Sequence, residues 1–125
     1  DDEYQIIDID VAGMYVAVGI ANKLAPEHLG ESFTTAYAQI KADRKKYPKG
    51  SSRNAALKLA GNGAYGNSNN PFSPLYDPQY TFTVTVNGQL QILQLVEMID
   101  LLPECELIQA NTDGITIRIK KANEW

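Results

Sequence analysis

Between Tyr4 and Val11 the stretch "YQIIDIDV" alternates, with Ile7, Ile9 and Val11 on one side and Asp8 and Asp10 on the other. A period of two predicts a half-buried strand whose polar face carries two carboxylates. "GMYVAVGIANKLAPEHLG" keeps no clean period and predicts a short helix or turn up to Pro26. From Glu31 to Tyr47 the residues Phe33, Tyr37 and Ile40 follow helical spacing, while Lys41, Arg44 and Lys45 form a separate basic stripe. Pro48 and Gly50 end that helix and Ser51 or Ser52 can cap the next, so residues 31–66 read as an antiparallel helical hairpin with "YPKGSS" at its tip. After the polar, proline-rich "GNSNNPFSPLYDPQ", the segment "YTFTVTV" alternates again and predicts a strand with Tyr80, Phe82, Val84 and Val86 inward. "NGQLQILQLVEMIDLLP" carries Ile92, Leu95, Val96, Ile99 and Leu102 at helical spacing, and Pro103 ends it. "ELIQANTDGITIRIK" predicts a β-hairpin around Thr112, Asp113 and Gly114.

This order predicts an α+β domain. Its sheet is antiparallel or mixed and four-stranded, with one helix packed across it and the helical hairpin inserted as a lobe between the first two strands. Residues 1–30, 31–66 and 67–125 form the successive parts, with no internal repeat and no dividing linker. A chain of 125 residues with 44% apolar residues suits a single-core globular domain. No apolar run has the length of a membrane span. The acidic start "DDEYQ" is unlike a signal peptide, and the lone Cys105 cannot pair internally, so a reduced, cytoplasmic setting is expected.

Charge sharpens the picture. Residues 41–58 hold seven of the eleven basic residues and one acid, Asp43, a local charge of +6 that leaves −10 on the rest of a chain of net −4. A basic lobe on an acidic body suits phosphates in one place and divalent cations in another. A solvated hairpin bearing lysines for solubility accounts for the charge as well, and on charge alone is the simpler reading.

Three groups of residues carry candidate chemistry. Asp10 ends the first strand and Asp113 lies in the last turn. On neighbouring strands they would meet at one sheet edge and could hold Mg²⁺, which prefers oxygen ligands. Two such ions, ~3.5–4 Å apart, suit an attacking hydroxyl and a leaving pyrophosphate. Asp-Gly is also a favoured turn pair, and either aspartate alone reads as structural. Within "KLAGNGAYG", Lys58, Asn62 and Tyr65 share one helical face although Gly61 and Gly63 weaken the helix. Lys58 offers a charge for a phosphate, Tyr65 a flat surface for a base, and the glycines room for close approach. Tyr15 follows the first strand and could stack beneath a nucleotide sugar, where a 2′-hydroxyl would collide with it; an ordinary core tyrosine is the alternative.

Taken together, "DVAGMY" (10–15), "KLAGNGAYG" (58–66) and "ANTDGI" (110–115) resemble motifs A, B and C of family B DNA polymerases, which run D-x-x-S-L-Y-P, K-x-x-x-N-x-x-Y-G and D-T-D-S. "NKLAPEHLGESF", "SPLYDP" and "VTVNGQLQIL" resemble the bacteriophage type. The resemblance covers essentially the whole chain and implies a palm with the fingers inserted as a helical hairpin. It implies that Asp10, Asp113 and the carbonyl of Val11 bind Mg²⁺ or Mn²⁺ and that Tyr15 is the sugar gate. Lys58 and Arg44 would contact the triphosphate, with Asn62 and Tyr65 flooring the nascent base pair. The expected partners are a DNA primer-template and deoxynucleoside triphosphates, in replication within a bacterial host cytoplasm.

The chain departs from these motifs at Asn111, in place of the first aspartate of D-T-D-S, at Gly13 for serine and at Val16 for proline. It is expected to lack exonuclease and thumb, to self-associate through apolar surface so exposed, and to be either a template-directed nucleotidyltransferase core or an inactive domain binding phosphates or nucleic acid. His28, in "PEHLG", reads as a surface or capping residue.

Overall fold

A computed structural model describes residues 3–121. In chain order the elements are β1 (Tyr4–Asp10), α1 (Met14–Ala21), α2 (Gly30–Lys45), α3 (Ser52–Asn67), α4 (Pro78–Asp100), β2 (Cys105–Ala110) and β3 (Gly114–Lys120). The fold is α+β. Two compact units divide the described residues, one of residues 3–12 with 88–121 and one of residues 13–87. Among the described residues no helix is long and apolar enough to cross a membrane.

The first unit holds an antiparallel sheet in the order β1-β3-β2. Strand β3 is central and the most buried of the three: Ile115, Ile117 and Ile119 alternate onto one face and are all buried. Ile7 and Ile9 of β1 pair with Ile117 and Ile115 and lie half-buried on that same face, while Asp8 and Asp10 are exposed on the other. Thr116 Oγ1 donates to Asp8 Oδ1 at 2.6 Å across the polar face. Ile92 and Ile99, in the second half of α4, are the buried residues of that helix within this unit's hydrophobic core. Strand β2 is an exposed edge, interrupted by a register shift between Leu107 and Gln109.

The second unit is helical. Met14, Val16 and Val18 of α1, Phe33 and Tyr37 of α2, and Tyr80 and Val84 of α4 form its core. Phe33 packs at 4.7 Å from the Tyr37 ring and edge-on to Tyr80 at 5.5 Å between centroids. The predicted hairpin is present as α2 and α3. Ser51 caps α3, its hydroxyl accepting from the Asn54 N–H at 3.3 Å. Burial pushes the Tyr80 hydroxyl well above the ordinary phenol range and raises that of Tyr37 as well.

One predicted element is overturned. Residues 80–86 are helical, not a strand, and among the described residues the sheet has three strands rather than four. Burial follows the helix, with Tyr80, Val84, Gly88 and Ile92 buried four residues apart, whereas Phe82, expected inward, is 68% exposed. Two local features select the helix. Asp77 is its N-cap, Oδ1 accepting from the Tyr80 N–H at 2.9 Å, and Pro78 occupies the first helical position. The threonines that suggested a strand turn their hydroxyls back onto the helix, Thr81 to the Asp77 carbonyl, Thr83 to Gln79 and Thr85 to Thr81, at 2.7–3.1 Å. Asp77 Oδ2 also accepts from the Glu27 N–H at 2.9 Å, and His28 Nε2 lies 2.8 Å from the Pro74 carbonyl, so the loop before α2 is tied to the loop before α4.

Candidate functional site

In the sheet unit, Asp10 is the last residue of β1 and its register partner is Gly114, the residue after Asp113. The Val11 N–H donates to the Asp113 carbonyl at 2.8 Å and the Asn111 N–H to the Gly114 carbonyl at 2.7 Å, fixing the turn against the end of β1. The glycine is required here by close approach. A Cβ on Gly114 would stand 2.6 Å from the Ile9 carbonyl oxygen and 3.1 Å from Asp10 Oδ1. Asp10 thus leans over the residue beside Asp113, and both acids are exposed at one corner of the sheet. The Asp-Gly pair owes its glycine to that contact and not to a left-handed turn, since Gly114 is absent from the positive-φ positions.

The two carboxylates at this corner are hard oxygens of the kind Mg²⁺ takes. Among the described residues no three acidic, histidine or cysteine groups cluster as a metal cage. Asn111 contributes no charge, and its Oδ1 accepts from Gln109 Nε2 at 2.6 Å.

In the helical unit the remaining predicted residues fall on α1, α2 and α3. Tyr15 and Tyr65 stack on each other, ring centroids 3.9 Å apart and planes inclined by 11°. The Tyr65 hydroxyl shares a hydrogen bond with Thr85 Oγ1 at 2.7 Å. One face of each ring is therefore occupied by the other ring, and Thr85 anchors the hydroxyl end of Tyr65. Lys58 and Asn62 are exposed on α3.

The two glycines of this helix have different reasons. Gly61 is buried, its carbonyl accepts from the Tyr37 hydroxyl at 2.7 Å, and a Cβ there would lie 3.0 Å from Val16 Cγ2. Its room is taken by helix packing, not left for a ligand, which corrects the sequence reading. A Cβ on Gly63 would meet nothing within 4 Å.

Arg44 is half-buried at the end of α2, where Nε donates to Asn54 Oδ1 at 3.3 Å. Its Nη1 lies 3.6 Å from the point a Cβ would occupy on Gly13, the N-cap of α1, which has φ +62°. The first-turn amides of a helix lack intrahelical acceptors and favour anions, and the Arg44 guanidinium adds positive charge beside them. Asp43, the one acid of the basic segment, accepts from Lys46 Nζ at 2.7 Å. That bond, with one from Gln39, holds its carboxyl below the usual range.

The parts played by three residues escaped the sequence reading. Gly114 has a readable signal, the glycine directly after a candidate metal ligand. Asn54, three residues after the Ser51 cap and four before Lys58, has a weaker one. Thr85 has none once its segment is read as a strand.

The sequence matches no protein-family model and no curated protein. Among solved structures it is similar to the family B DNA polymerase from the hyperthermophilic archaeon Pyrobaculum calidifontis, with a TM-score of 0.62 and 18% identity over 96% of this chain and 21% of that one. At that identity the likeness establishes the fold: this chain folds like part of a family B DNA polymerase and spans about a fifth of that polymerase's length.

Proposed function

We propose that the chain is the palm-and-fingers core of a DNA-directed DNA polymerase of the bacteriophage family B type. It would join a deoxynucleoside triphosphate to a primer 3′-hydroxyl, with pyrophosphate leaving. The observation that carries this reading is the delivery of Asp10 and Asp113 to one corner of the sheet by the Asp10–Gly114 pairing and the Val11–Asp113 bond. The polymerase-like fold supports it independently.

On this reading Asp10, Asp113 and the Val11 carbonyl hold Mg²⁺ or Mn²⁺, which when bound would promote ionisation of the attacking hydroxyl and neutralise charge on the leaving pyrophosphate. Arg44 and Lys58 grip the triphosphate by charge-assisted hydrogen bonds. Tyr15, held flat by Tyr65, packs beneath the sugar and excludes a 2′-hydroxyl. Asn62 and Tyr65 floor the base pair. The protein side chains hold charge and shape in advance and none becomes covalent. The chain works in the cytoplasm of a bacterial host, and its exposed Leu101, Met98 and Ile108, at 83%, 62% and 51% exposure, support self-association.

A second reading, a phosphate- or nucleic-acid-binding domain without catalysis, is favoured by one observation: Asn111 stands neutral and engaged by Gln109 where the motif has an aspartate. Primer extension with Mn²⁺ separates the two. The polymerase reading predicts extension that Asp113→Ala abolishes. Salt-sensitive DNA binding with no extension, indifferent to metal, would favour the second.

A further inference from the structure

Asn54 is only 8% exposed, and both ends of its amide are engaged. Nδ2 donates to the Arg44 carbonyl at 3.1 Å and the Tyr47 carbonyl at 3.0 Å. Oδ1 accepts from Arg44 Nε at 3.3 Å. Two carbonyls at one end and an N–H at the other fix the orientation of the amide. The two carbonyl contacts are a structural task, since they tie the start of α3 to the turn that closes α2. The contact to Arg44 Nε is different. It restrains a side chain through Nε and leaves both terminal nitrogens of the guanidinium out of the clasp, with Nη1 beside Gly13.

We propose that Asn54 is a positioning residue for the triphosphate: it clasps Arg44 by Nε so that the guanidinium's terminal nitrogens face the phosphates before the nucleotide arrives. This rests on the proposed role of Arg44. A long flexible arginine loses rotamer freedom when it clamps a ligand, and a tether removes most of that loss beforehand. Asparagine fits the task because it offers two donors for the carbonyls and one acceptor for Nε in a single planar group. Aspartate at this position would accept from Nε but neutralise the charge the phosphates need.

The experiment is a double-mutant cycle on the full chain, read by calorimetric titration with inorganic tripolyphosphate in metal-free buffer. Arg44→Ala and Asn54→Ala should each weaken binding about five- to tenfold, and the double variant should be no weaker than Arg44→Ala, because the two act as one unit. Losses that simply multiply, or an unchanged affinity in folded Asn54→Ala, overturn the tether while leaving Arg44 as a phosphate ligand. An affinity that Arg44→Ala leaves intact overturns the role of Arg44 and the tether with it. Should Asn54→Ala fail to fold, the wild-type chain decides. The Arg44 Nε–H proton should exchange slowly with solvent, and free exchange overturns the inference.

Discussion

Gly63→Ala should stabilise the protein, and Gly61→Ala, two residues earlier on the same helix, should not. Alanine is favoured over glycine in a helix interior by about 0.8–1 kcal/mol. At Gly63 nothing opposes that gain, since an added Cβ meets no atom within 4 Å. With an m-value of about 1–2 kcal/mol/M for a domain of this size, the urea midpoint should rise by roughly half a molar. At Gly61 the same gain meets a methyl group placed 3.0 Å from Val16 Cγ2. Val16 is buried and β-branched, with little rotamer freedom to yield. Overpacking of this kind costs about 1–3 kcal/mol, so the net effect runs from near zero to a loss of about 2 kcal/mol. Far-UV circular dichroism through a urea titration reads both variants. Equal stabilisation by the two would refute the packing account of Gly61. Titration with a deoxynucleoside triphosphate adds a second readout: if Gly63 keeps side chains clear of the nucleotide, affinity falls in the same variant whose stability rises, the trade-off expected at a binding surface.

Asp77→Ala should cost about 1–2 kcal/mol by removing the cap of α4, measured by the same urea titration. The N–H groups of Tyr80 and then Glu27 hold the Asp77 carboxyl below its ordinary value. Its stabilisation is therefore complete above the unfolded-state pKa of about 3.9 and lost as pH falls through the lower folded value. Stability of Asp77→Asn should accordingly fall less steeply than wild type below about pH 4, and parallel acid limbs would contradict this. Among the described residues no group stands in hydrogen-bonding geometry to the buried Tyr80 hydroxyl, whose polar neighbour is the Tyr37 hydroxyl, so Tyr80→Phe should leave thermal stability unchanged or raised by up to about 1 kcal/mol. Tyr37→Phe, which loses the bond to the Gly61 carbonyl, should lower it by about 1 kcal/mol. Sedimentation velocity should show concentration-dependent association that Leu101→Asp reduces.

Period-two and helical patterns disclosed the elements wherever one face is buried and the other wet. β1, with its isoleucines against its aspartates, and the α2–α3 hairpin, with its Pro48–Ser51 tip, were legible on that ground. The alternation of Tyr80–Val86 misled because threonine serves two purposes. It marks a strand's polar face, but in α4 each hydroxyl satisfies a carbonyl one turn back. The Asp77-Pro78 pair, a cap followed by a first-turn proline, was the contrary signal and outweighed the alternation. Asp10 and Asp113 could be nominated from sequence, whereas the close approach at Gly114 required the register of β1 on β3. The Tyr15–Tyr65 stack and the Arg44–Asn54 clasp are contacts between elements far apart in the chain or joined by a turn, and local patterning carries no record of them.

The central claim is that Asp10 and Asp113 share a cation. Titration of the chain with Mn²⁺, followed by electron paramagnetic resonance of the free ion, tests it most directly. Binding should saturate in the wild-type protein and fall together in Asp10→Asn and Asp113→Asn, each folded by circular dichroism. Mn²⁺ binding that survives either substitution unchanged would contradict the account.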